Sequence, residues 1–457
     1  MRTEKDILGT VTLPDDCLYG INTARALENF ALESHKTDLS LISAIVTVKK
    51  AAAITYSKIG IKSDMYDAVS AVCDEIISAL GEKGSNAVKD AFPLDALQGG
   101  AGTSTNMNVN EVIANMTLIR MGHKPGEYEY CHPLNDINRG QSTNDVYPTG
   151  LRIAAIRGLR KLSTSCAALQ ESLQKRENEF DGVKKLGRTE LMDAVPVTLG
   201  NEFGAYAQAI ARDRWRLYKI EERLRQVNLG GAAVGLENLS LRKYRFGVVE
   251  ELRKLTDIGI ARAEYPMDIT QNQDVFVEVS GLLKAMAVNM MKIAGDLRLM
   301  ASGPFGGLGE IKLKPVQQGS TVMPGKINPV IPEMVLEAGT KVISCDASIT
   351  YAASRGEFEL NALEPLIADS LLTSIRILTN AADIFREKCI DTLAADEERC
   401  SEILGGTYAF AASYLADIGY ETVSRIVTDN PPEKAEKILR EMKQKKEEKE
   451  EEESGNE

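Results

Sequence analysis

The fifteen residues from Gly319 to Glu333, GSTVMPGKINPVIPE, gather the groups needed for acid–base chemistry on a carboxylate. A flexible Gly-Ser-Thr is followed by Lys326 and Asn328, and a proline braces each of these two. Hydroxyls, an ammonium and an amide on one loop make a carboxylate receptor. Ser320 could also act as a base there, if backbone N–H groups and the lysine charge stabilised its alkoxide. Two further stretches, QGGAGTSTNMN (98–108) and SGPFGGLGEIK (302–312), are likewise rich in glycine and polar residues. Polar loops set on a rigid scaffold are where binding and catalytic groups concentrate.

That scaffold is legible from proline placement. All fifteen prolines fall in a few clusters, leaving proline-free tracts at 15–92, 149–195, 197–265, 267–303, 333–364 and 366–430. Such tracts permit long helices. Within Asp274–Met300 apolar residues recur every three or four positions with few polar breaks, the pattern of a helix buried in a bundle. The fold expected is mainly α, with a central bundle of long helices. A net charge of −12 argues against sequence-independent binding to nucleic acid or to an anionic membrane. Three histidines, His35, His123 and His132, exclude a His-rich metal site. Seven scattered cysteines without a CxxC pair read as reduced thiols of a cytoplasmic protein. The polar start MRTEKDILGT carries no signal-peptide pattern, and no uninterrupted apolar run approaches the length of a spanning helix.

GSxxMPxKxNP in the 319–329 loop resembles the signature of the fumarase/aspartase superfamily. LYGINTARALENF (18–30), FPLDALQGGAGTSTNMNVNEVIAN (92–115), INRGQSTNDVYPTGLRIA (137–154), KLGRTELMDAVPVTLGNEF (185–203) and DLRLMASGPFGGLGEI (296–311) resemble its other blocks, in the same order and spacing. The resemblance spans residues 3 to 400, and GGAGTS and GQSTNDVYPTG are more similar to the aspartate ammonia-lyases than to the fumarases. It implies a homotetramer with a central twenty-helix bundle and active sites shared between chains. It also implies a cofactor-free 1,2-elimination on a small amino-acid substrate, passing through an enediolate-like carbanion. On that resemblance Ser320 is the base and Glu333 the carboxylate behind it. Lys326 and Asn328 with Thr189 clamp one substrate carboxylate, while Thr103, Ser142 and Thr143 hold the other end. Asn144 meets the leaving amine. Without the family, Thr103 and Ser142 would read as helix caps.

The departures bear on the substrate. Position 190 is Glu where the family usually carries Gln or His, Thr321 stands for the second serine of the signature loop, and the usual GTGxN run is Gly235-Leu236-Glu237-Asn238. Glu190 and Glu237 facing the pocket would repel a dicarboxylate. Two lyase readings stay open: ammonia from L-aspartate, giving fumarate, or an amine from a cationic or aromatic amino-acid derivative, as in ergothionase-like release of trimethylamine. The bland alternative for Glu190 is a salt bridge to a neighbouring chain. Fumarate hydratase is weakened by the missing histidine at 190, and a non-catalytic scaffold by the intact Ser320, Lys326 and Asn328.

The domains expected are an N-terminal domain (1–138), a central helical bundle (139–390), a shortened C-terminal helical domain (391–432) and a charged tail (433–457). The tail carries ten acids and seven bases; its early part could extend a solvated helix through Glu/Lys pairs, and its last dozen residues are expected to be disordered.

Overall fold

The computed structural model of the chain describes residues 1–81, 84–236 and 241–454. Among them helix dominates, and every sheet is two-stranded. The long helices are α1 (Leu39–Lys58), α2 (Thr103–Arg120), α3 (Thr143–Glu179), α4 (Leu199–Ile220), α5 (Asp274–Met300), α6 (Val330–Ala353) and α7 (Glu364–Phe385). Between α3 and α4 lies an antiparallel hairpin of β1 (Lys184–Thr189) and β2 (Met192–Thr198).

Proline-free tracts locate these helices, with one instructive difference. Helix α3 begins at Thr143, ahead of the tract, and carries Pro148 within it. A proline there has no N–H for the carbonyl four residues back. That carbonyl belongs to Asn144, and it accepts the Asn228 side-chain amide instead, at 2.9 Å. A side chain from elsewhere in the fold thus repairs the ladder that the proline breaks.

By compactness the chain divides into two units that are not consecutive segments. The first comprises Met1–Thr164, Arg214–Ala287 and Gly339–Thr379, and the second Ser165–Asp213, Val288–Ala338 and Asn380–Glu457. Helices α3 to α7 each contribute residues to both.

In the first unit α1 forms the core. Asp38 caps it by accepting the Ser40 N–H at 2.9 Å, and Leu41, Ile42, Ile45, Val46 and Val48 are buried. Helices Ser63–Leu80 and Arg242–Thr256 pack on it. By length and composition α1 could cross a membrane, with a mean hydropathy of 1.4, but 72% of that stretch is buried inside the protein. It is a core helix that passes the same test.

In the second unit the hairpin packs against helix Glu397–Gly405 and the turn Ala409–Tyr414. The early part of the charged C-terminal stretch is where Glu/Lys pairs allow a solvated helix. The stretch forms helix α8, Pro432–Ser454. Ala435 and Leu439, one turn apart, are buried with Val423 and Ile426. Lys443 pairs with Asp417 at 2.7 Å, and Arg440 with Glu436 at 3.0 Å. An apolar i, i+4 pair and charge pairing suffice to hold a helix that composition alone reads as solvated.

Candidate active site

Two groups of the expected residues form, one in each unit. In the first, the N-termini of α2 and α3 carry Thr103 and Thr143. Gly102, the residue before α2, has φ +86°, and a Cβ there would fall 2.4 Å from the Tyr147 ring of α3. Only glycine allows the two helix starts to approach this closely. Asn106, one turn into α2, donates to Thr143 Oγ1 at 3.2 Å and to Asn138 Oδ1 at 3.1 Å. Helix N-termini carry partial positive charge and unused N–H groups, so two that converge favour a carboxylate.

Ser142 does cap α3: its Oγ accepts the Asn144 N–H at 3.2 Å, and its own N–H donates to Asp145 Oδ1 at 2.9 Å. Capping uses the oxygen as acceptor and leaves the hydroxyl proton available to a ligand. Asn144 donates its Nδ2 to the Ala233 carbonyl at 2.8 Å. Its Oδ1 is then oriented as an acceptor, the role a leaving ammonium requires. Thr103 is exposed, Ser142 and Asn144 are half-buried, and Thr143 is buried.

Beneath these residues lies a polar network that sequence reasoning did not single out. Asp145 is fully buried and also accepts the N–H groups of Gly230 and Ala232, both at 3.0 Å. Burial still pushes its carboxyl up to about 6. Lys49, 1% exposed, donates to Asn138 Oδ1 at 2.9 Å, an oxygen that also receives Nδ2 of Asn110 at 3.1 Å. Burial pulls the Lys49 ammonium down to about 7, with the Asp145 charge opposing. Tyr56 fixes the adjoining loop by donating to the Arg139 carbonyl at 2.9 Å. The signal was present in the quoted NDVYP run, since an aspartate three residues after a serine at a helix start is a capping box.

The second group stands on two supports. One is the signature loop. The Ser320 Oγ accepts the backbone N–H groups of Val322 and Met323, at 3.2 and 2.8 Å. Asn328 Nδ2 donates to the Gly319 carbonyl at 2.7 Å. A Cβ on Gly319 would lie 2.0 Å from the Lys326 carbonyl, so the loop closes tightly across its base. Ser320 is half-buried, while Thr321 and Lys326 are exposed. Among the described residues Lys326 has no ion-pair partner. Glu333 sits in the first turn of α6, 3.7 Å from Arg298.

The other support is the hairpin. Thr189 and Met192 pair across its end, and Glu190 and Leu191 form the two-residue turn, with φ +53° and +66°. Two-residue hairpins favour this left-handed pair of residues, but normally with Asn or Gly. A glutamate and a leucine here cost roughly 1–2 kcal/mol each. Glu190 is exposed without an ion-pair partner among the described residues, and Leu191 is 73% exposed. No hydrogen bond joins hairpin turn to signature loop among the described residues. Glu237 lies outside the described residues.

Chemically, the loop offers an oxygen held by two N–H donors, with an ammonium and an amide nearby in sequence. Two N–H donors lower the cost of a serine alkoxide. Among the described residues no cluster of three or more His, Cys, Asp or Glu could hold a metal ion.

The chain is similar to several known proteins. A family model described as lyase matches residues 9–344. The aspartate ammonia-lyase of Pseudomonas aeruginosa is 44% identical over 431 residues, 93% of this chain and 89% of that one. That of Escherichia coli K12 is 42% identical over 403 residues, covering 88% and 83%. Among solved structures, a fumarate lyase/delta crystallin from Brucella melitensis superposes with a TM-score of 0.90 at 38% identity, covering 98% of this chain and 99% of that one.

Proposed function

The chain belongs to the lyase family of the fumarase/aspartase superfamily, and from that premise we propose that it eliminates ammonia from L-aspartate to give fumarate. It is an ammonia-lyase of the aspartase type. The observation that carries the residue assignment is Ser320 Oγ receiving two backbone N–H groups on the loop that also bears Lys326 and Asn328.

In this reading the Ser320 alkoxide removes a proton from the carbon next to one carboxylate. The electron pair moves into that carboxylate as an enediolate, whose charge Lys326 and Asn328 on the signature loop stabilise, while Thr189 holds the carboxylate in place and Thr321 lines the loop. Thr103, Ser142 and Thr143, on the two helix N-termini, hold the other carboxylate. The pair then returns to form the C=C bond, and the ammonium leaves as ammonia beside Asn144. Glu333 backs the loop from α6. The family chemistry requires no cofactor.

The same reading makes the protein a cytoplasmic homotetramer with shared sites. Its support is that Thr103, Thr189, Glu190 and Lys326 are all exposed on the single chain. Apolar side chains are exposed on long helices as well: Trp215 and Tyr218 on α4, Val288 on α5 and Tyr351 on α6. Light scattering should give four chains per particle.

A second substrate is favoured by one observation, the unpaired Glu190 on its strained turn. A carboxylate there suits a cationic amine, as in a betaine of histidine type. A panel of aspartate, fumarate with ammonia, malate and such betaines, followed by ultraviolet absorbance of the unsaturated product, decides between them. No fumarate from aspartate would sink the first reading.

A further inference from the structure

Glu310 is 0% exposed, and its backbone is held from both sides. Its N–H donates to the Met300 carbonyl at 2.8 Å, and its carbonyl accepts the Asp396 N–H at 2.9 Å. A carboxylate on so fixed a base is a fixed point of charge. It takes Arg188 Nη1 at 2.9 Å and lies 3.2 Å from Lys185 Nζ. Lys185 continues to Glu202 at 2.7 Å, so two cations meet two carboxylates.

Lys185 and Arg188 are three residues apart on β1, and on a flat strand they would face opposite sides. Both nevertheless reach Glu310. The hairpin register shifts between Leu186 and Arg188, with Ala194 and Val195 together opposite Gly187. An extra residue of this kind adds local twist, which lets the two side chains converge. One residue beyond Arg188 the strand enters the turn of Thr189, Glu190 and Leu191, whose two left-handed residues disfavour it locally. The strain must be held by contacts outside the turn. The Arg188–Glu310 pair, one residue from Thr189 and anchored on a buried carboxylate, is such a contact.

We propose that Glu310 is the positioning residue for the Thr189–Glu190 turn: through Arg188 and Lys185 it sets the direction in which the hairpin presents both side chains to substrate. This rests on the reading of Thr189 as part of the carboxylate clamp. Glu310 touches no reacting atom. Its effect falls on substrate binding, whereas proton abstraction belongs to the signature loop.

The test compares Glu310→Gln, Arg188→Met, the double variant and Thr189→Val, with the full chain throughout. KM is measured for whichever panel substrate the wild type turns over. Glu310→Gln should raise KM about tenfold or more with kcat changed less than about threefold, and Arg188→Met should match it. The double variant should be no worse than either single one, because both remove the same link. Deuterium exchange of the 188–192 amides should quicken in both single variants and stay unchanged across 199–213. If Glu310→Gln does not fold, Arg188→Met carries the comparison, since it leaves Glu310 paired with Lys185. Unchanged turn exchange, additive effects in the double variant, or a fall in kcat with KM unmoved would each overturn the proposal. Should Thr189→Val leave KM unchanged, the clamp reading fails separately, and the exchange measurement still decides the positioning.

Discussion

The Ser320 hydroxyl oxygen accepts the Met323 backbone N–H at 2.8 Å, three residues along the same loop. A hydroxyl oxygen held this way is already oriented as an acceptor, which is the electrostatic position of an alkoxide. Ser320→Ala should therefore lower kcat by about a thousandfold or more, within the range of lost general-base catalysis. Circular dichroism and particle mass should match the wild type, because the side chain is half-buried on a loop. Near wild-type turnover would remove Ser320 from the mechanism.

Lys326 is exposed and without an ion-pair partner among the described residues, so its ammonium is free for a substrate carboxylate. In the proposed mechanism its charge matters most when the enediolate forms. Lys326→Met should cost roughly a hundredfold or more in kcat, alongside a weaker KM. Lys326→Arg should not restore it, since a planar fork does not replace a compact point charge on this short loop. The comparison is kcat and KM across the three proteins; kcat for Lys326→Met within threefold of wild type would contradict it.

In the proposed reading Glu190 governs selectivity. Two like charges about 6 Å apart at an effective dielectric of about 40 repel by about 1.4 kcal/mol, a tenfold effect. Glu190→Gln should thus raise kcat/KM for aspartate by about that factor and lower it for a cationic betaine. An unchanged substrate ranking would make the residue structural.

Lys49 predicts a pH dependence of stability. Burial lowers its ammonium from the ordinary 10.5 to about 7, so between those values the unfolded chain binds more protons than the folded one. Stability should rise with pH across that window, by up to about 1.4 kcal/mol per pH unit from this group. Asp145 runs the other way at lower pH. Its carboxyl is raised from 3.8 to about 6, so the folded chain holds the extra proton and stability falls as pH rises between them. Denaturation of Lys49→Met should lose the upward slope between pH 7 and 9. A slope equal to wild type would show that Lys49 is not the group responsible.

The sequence by itself determined what is local. The signature loop places Ser320, Lys326 and Asn328 within nine residues, and its hydrogen bonds run within that loop, so residue types and spacing alone point to the proposed chemistry. Proline-free tracts likewise marked the long helices, because helix depends on contacts three and four residues apart. Only the tertiary structure decided what links distant positions. Asn228 completes the α3 ladder at Asn144, Gly230 and Ala232 hold Asp145, and Glu310 grips Arg188 from 122 residues away. Complementary pairs so far apart leave no periodic trace in a single sequence. The left-handed Glu190–Leu191 turn was equally illegible, since neither residue favours it and contacts elsewhere must impose it. The C-terminal helix makes the same point, because burial of Ala435 and Leu439 against Val423 and Ile426 orders a segment whose charge alone would leave it in solvent.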